Sequence, residues 1–193
     1  MRIETRKIYT AAELKAFPIA TSGAFEKALE HYRDNLENCA WFDDICKSGR
    51  ATVEAAGLTL RDWSVDQTSP GSSYYRVEGF GEDEHGADIG EYTGRKAREW
   101  ITAAFLPKYK FNWRIKRNPG DCPFTGYCGD DDCIDAIRDA IRAGETLREA
   151  FNGLGAVLAK QCANESEYEE TKEYFIEHAG ANTWEYDENG NMI

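Results

Sequence analysis

The chain has 193 residues, with 23 Lys and Arg against 35 Asp and Glu, a formal charge of −12. Its 41% apolar and 12% aromatic content argues against intrinsic disorder, because so many buried rings can offset chain entropy. The acidic balance disfavours a general nucleic-acid or anionic-lipid binder, and no apolar run approaches the roughly 18 residues of a membrane span.

In chain order, residues 3–9 alternate weakly and predict a strand. Thr10 and Glu13 form a capping-box pattern, so a short helix starts there and ends before Pro18. Thr21 or Ser22 caps a longer helix to about Cys39, with Phe25, Ala28, Leu29, Tyr32 and Leu36 on its buried face. Residues 41–56 read as another helix, stopped by Gly57. The period then changes. Leu58, Leu60, Trp63 and Val65 alternate, residues 73–80 do so again, and Thr68-Ser69-Pro70-Gly71 between them is a turn signal. Two antiparallel strands are expected. Residues 81–90 are acidic and Gly-rich, the composition of an exposed loop. Thr93 caps a helix to Phe105, closed by Pro107. Residues 108–117 place Tyr109, Phe111, Trp113 and Ile115 on alternate positions, predicting a strand with one aromatic and one basic face. An irregular loop follows over 118–129. Asp130, Asp131 and Asp132 precede a helix carrying Ile134, Ile137 and Ile141 and broken by Gly144. Thr146 and Glu149 form a second capping box, opening a helix to about Ala179 that is interrupted near Asn164. Asn189-Gly190 is a tight-turn dipeptide near the end. The expected fold is α+β: several helices packed on a small, mostly antiparallel sheet, with a helical C-terminal third. One domain over 1–193 is expected, with 1–117 and 118–193 as its natural subdivision.

Charge is unevenly spread. Residues 51–94 carry a net −7, residues 95–120 a net +7 and residues 121–193 a net −12. The acidic blocks suggest a partner-binding surface of Asp62, Asp66, Glu82, Asp83, Glu84, Asp88, Glu169, Glu173 and Glu177. Spaced carboxylates on a rigid surface can imitate a phosphate backbone and occupy another protein's basic groove. Glu169/Glu173 and Glu173/Glu177 are four apart and would repel along one helical face. The plain alternative is a solubilising surface. The basic block offers a second candidate, a nucleic-acid interface of Arg95, Lys96, Lys108, Lys110, Arg114, Lys116 and Arg117 interleaved with rings. Its plain alternative is a half-buried strand.

A third candidate is a metal-dependent enzyme built on Asp130, Asp131 and Asp132, although acids at a helix start ordinarily serve its free N–H groups. Cys122, Cys128 and Cys133 are spaced too widely for a typical zinc pair, and the six cysteines are expected to be reduced. His31, His85 and His178 stand in no local catalytic motif. No cofactor is expected. The N-terminus lacks an apolar signal core, so a cytoplasmic location is expected.

Three stretches carry a resemblance: IYTAAELKAFPIA with AFEKALEHYRDN, AAGLTLRDWSVD, and CPFTGYCGDDDCIDAIRDAIRAGETLREAFNGL. They resemble a family of small tailed-phage and prophage proteins labelled as the antitoxin of a toxin–antitoxin stability system. The resemblance implies a phage accessory protein in a bacterial cytoplasm that binds a host toxin or immune effector. It implies no catalytic residue.

Overall fold

Local signals in the sequence decide where most elements begin. In the computed structural model, residues 7–16, 23–36, 42–106, 108–114, 122–126 and 129–193 are described. Among them are eight α-helices and one two-stranded antiparallel sheet, an α+β fold with a helical C-terminal part. No helix among the described residues is long and apolar enough to cross a membrane. The chain divides into two compact units, Met1–Cys39 with Asn164–Ile193, and Ala40–Ala163. The expected subdivision point at 117/118 lies outside the described residues.

The first unit is helical. Helix α1 (Ala11–Ala16) opens on the expected capping box: Glu13 Oε2 accepts from the Thr10 N–H at 2.8 Å, and Thr10 Oγ1 accepts from the Glu13 N–H at 3.3 Å. Helix α2 (Ala24–Asp34) buries Phe25, Ala28, Leu29 and Tyr32, as its period predicts. Its bounds differ from the expectation. Gly23 at φ 107° is the N-cap, and Asn35 closes the helix before Cys39. Thr21 and Ser22 lie outside the described residues. Helix α8 (Lys172–Ala181) brings Phe175 and Ala179 to the same core, and Tyr186 completes it through an antiparallel bridge to Tyr9.

The second unit holds the sheet. Helix α3 (Phe42–Ala55) is followed by a turn at Gly57, whose φ of 74° suits a helix stop. Strands β1 (Thr59–Ser64) and β2 (Tyr74–Glu78) pair antiparallel, Thr59 opposite Glu78 and Ser64 opposite Tyr74. A bulge between Leu60 and Asp62 adds one residue. That is why the apolar positions step by three from Leu60 to Trp63 rather than by two. On β2, Tyr75 and Val77 face inward. Helix α4 (Gly94–Phe105) starts after Thr93, which makes no side-chain capping bond. Helices α5 (Asp130–Ala143), α6 (Leu147–Asn152) and α7 (Leu154–Glu169) follow.

Two expectations are corrected. Residues 108–114 form no strand, although Tyr109 and Phe111 are buried and Lys108, Lys110 and Arg114 exposed. The alternation is real, but the rings pack against helices instead of a sheet neighbour. The long last helix is broken at Gly153 and again at Glu170–Thr171, not at Asn164. Thr171 Oγ1 accepts from the Tyr174 N–H at 3.1 Å and restarts the chain as α8.

Gly155 in α7 lies against the backbone of Tyr74. A Cβ there would meet the Tyr74 carbonyl carbon at 2.5 Å and its Cα at 2.7 Å. Gly155→Ala gains roughly 1 kcal/mol of helix propensity but forces the strand away. The expected net result is a loss of about 1–3 kcal/mol, read as a lower urea midpoint.

Candidate functional site

The acidic segment 81–91 is a built loop rather than a loose one. Asp83 is its hub. Its Oδ1 accepts from the N–H groups of His85 and Ala87, each at 2.9 Å, and its Oδ2 accepts from the Tyr92 hydroxyl. The Tyr92 hydrogen bond, with those backbone bonds and Lys96 3.9 Å away, holds the Asp83 carboxyl down at about 2. The same bond pushes the Tyr92 hydroxyl up to about 12. At the other end Asp88 Oδ1 accepts from the Gly90 N–H at 2.7 Å, opening a 3-10 turn at Ile89–Glu91. Arg148 of α6 ties the loop down, pairing with Asp88 at 2.5 Å and Glu91 at 3.2 Å and lying 5.1 Å over Phe80.

Most of the expected acidic surface in this unit therefore has an internal partner. Asp62 accepts from the Trp63 N–H at 2.9 Å and from the Tyr74 hydroxyl at 3.2 Å. Asp66 accepts from the Thr68 hydroxyl at 2.7 Å and the Thr68 N–H at 2.9 Å, which shapes the turn into β2 and lowers its pKa. Glu82 and Glu84 are exposed, and Glu84 has His85 at 3.5 Å. In the first unit Glu173 and Glu177 are exposed on α8, and Glu173 stands 3.6 Å from Lys15. Glu169 is corrected: only 5% exposed, it is an interior residue at the end of α7. Burial raises its pKa, Glu165 adds to the rise and His178 opposes it. Because α7 ends there, Glu169 and Glu173 share no helical face.

The aspartate cluster at α5 is structural. Asp130 is fully buried, and its carboxylate reaches back rather than into the helix. It accepts from the Phe124 N–H at 2.7 Å, the Thr125 N–H at 2.8 Å and the Thr125 hydroxyl at 2.9 Å. The N-cap position is Gly129 at φ 129°, so the expected capping by the acids takes this different form. Among the described residues no three or more His, Cys, Asp or Glu side chains are grouped to hold a metal ion. Cys46, Cys133 and Cys162 are buried and Cys122 is half-buried, and burial pushes the Cys133 thiol far up. Cys39 and Cys128 lie outside the described residues. His31 and His85 are exposed, whereas His178 stacks on Tyr174 at 5.6 Å and meets Trp184 edge-on at 5.2 Å.

The basic block divides into engaged and unengaged cations. Arg95 pairs with Glu99 at 2.6 Å, and Lys96 lies between Asp83 and the Tyr92 ring. Arg98, Lys108, Lys110 and Arg114 are exposed. Trp113 fastens their segment to the helices. Its indole N–H donates to Thr102 Oγ1 at 3.1 Å, and its carbonyl accepts from Arg142 of α5. Its ring lies 4.5 Å from Phe111, with the Arg98 guanidinium 5.5 Å from its centroid. The rings are thus packing groups rather than open stacking platforms. Lys116 and Arg117 lie outside the described residues. Sequence reasoning missed Arg148 and Tyr92 as the groups that hold the acidic loop. Only their charge and hydroxyl hinted at it.

Comparison of the chain with protein-family models, curated proteins and solved structures gives no match.

Two outcomes test this geometry. Asp130→Ala removes the three hydrogen bonds from the Phe124 and Thr125 N–H groups and the Thr125 hydroxyl and is expected to cost about 3 kcal/mol, read by urea denaturation; an unchanged midpoint would refute the tethering role. Asp83 has a folded pKa below its ordinary 3.8, so its contribution to stability is full above that value and is lost as pH falls toward 2. In Tyr92→Phe the Asp83 carboxyl should titrate closer to 3.8, followed by carboxyl-carbon NMR.

Proposed function

We propose that the protein is a non-enzymatic binding protein, a phage accessory factor that neutralises a host toxin or defence protein in the bacterial cytoplasm. The observation that carries this reading is the locked acidic loop 81–91. Asp83 and Arg148 fix its backbone from both ends, while Glu82 and Glu84 face solvent. A loop ordered before the encounter loses little conformational entropy on binding. Exposed carboxylates at its rim steer a basic partner and set association rate more than residence time. The resemblance to the antitoxin-labelled phage proteins supports the same class of role.

The test is capture by the tagged protein from nuclease-treated bacterial lysate, followed by kinetics with the purified partner. A stoichiometric host protein is expected. Its association rate should fall about tenfold in Glu82→Lys/Glu84→Lys and fall again as salt rises. Association indifferent to both charge reversal and salt would overturn the acidic loop as the contact surface.

A further inference from the structure

The second unit carries a charge separation that the acidic loop does not explain. In a chain with 35 acids, cations readily find carboxylates. Arg61 pairs with Glu78, Arg95 with Glu99, Arg138 with Asp135 and Arg148 with Asp88. Arg98, Lys108, Lys110 and Arg114 have no carboxylate within ion-pair distance among the described residues, yet all four are exposed and close in sequence. They are not on a loose tail. Tyr109 and Phe111 beneath them are buried against Phe105, with ring centroids 6.4 and 5.8 Å away. The Tyr109 N–H donates to the Phe105 carbonyl at 3.0 Å, and Trp113 is bonded to both α4 and α5. Residues 108, 110 and 114 fall on the outward side of this anchored segment, and the Trp113 indole places Arg98 of α4 beside it.

We propose that Arg98, Lys108, Lys110 and Arg114 form a phosphate-backbone contact for double-stranded DNA. Four exposed cations on an anchored backbone, without a counter-carboxylate among the described residues, suit a polyanion. Single-strand binders add base stacking on exposed rings, and among the described residues of this segment that is missing: Tyr109 and Phe111 are buried, and Trp113 packs on Phe111 with the Arg98 guanidinium over its ring. With stacking removed, the ligand of highest phosphate density is favoured, which is the duplex. No side chain of the four is held for reading base edges, so the contact positions the protein without selecting sequence.

The experiment is fluorescence anisotropy of the full chain with a labelled 20-base-pair duplex of arbitrary sequence. Saturable binding is expected in dilute salt, equal within twofold for a second unrelated duplex. Affinity should fall about a hundredfold when salt rises fourfold, as expected for four phosphate contacts. Arg98→Ala, Lys110→Ala and Arg114→Ala should each weaken binding several-fold. Arg95→Ala and Lys96→Ala, which remove engaged cations from the same block, should stay within twofold. Circular dichroism of each variant separates loss of contact from loss of fold. No binding by the wild type in dilute salt, equal losses in the Arg95 and Lys96 variants, or tighter binding of a single strand of the same length would overturn the proposal. Each of those results leaves the protein-binding reading untouched, because that reading rests on a different loop.

Discussion

Phe105 is the residue on which the second unit depends most visibly. It is fully buried at the last position of α4. Phe111 stacks on it at 5.8 Å, Phe124 tilts against it at 5.4 Å, and Phe151 of α6 meets it at 6.5 Å. Four separate pieces of chain thus share one ring as their meeting point. Aromatic pairs contribute beyond their buried area, by about 0.5–1.5 kcal/mol each, and their offset geometry fixes direction as well as distance. The 108–114 segment needs that direction. Without strand partners, it keeps its rings inward and its cations outward because Phe105 and Trp113 hold it at both ends.

The same unit shows how carboxylates can be structural in an acidic protein. Asp130, Asp83 and Asp66 each gather backbone N–H groups that a loop would otherwise leave unpaired. A carboxylate offers about four acceptor sites and suits irregular backbone, where several donors converge. Net charge alone therefore overstates the acidic surface free for a partner. What remains is selective: Glu82 and Glu84 beside a fixed loop, and the exposed acids of α8 in the other unit.

The two proposed contacts divide along the same line. The acidic loop is rigid and presents few free charges, which suits recognition of a basic protein. The anchored cations present an opposite charge on a different segment of the same unit. Neither depends on bond-making chemistry by the side chains involved.

Both capping boxes, the stripes of α2 and α5, the hairpin and the stop at Gly57 were legible in the sequence, because each is set by residues within a few positions of one another. Even the bulge leaves a trace in the three-residue step from Leu60 to Trp63. The candidate sites were legible only as charge. Arg148 reaches Glu91 and Asp88 across 57 and 60 residues, and no local pattern encodes such a pair. The burial of Glu169, the backward reach of Asp130 and the lack of a strand at 108–114 likewise depend on what packs against them. The sequence by itself determined which segments are helical or extended and where charge is concentrated, since those are local properties. Only the tertiary structure decided which of the charges are engaged, because a side chain's partner is set by spatial proximity that chain order does not contain.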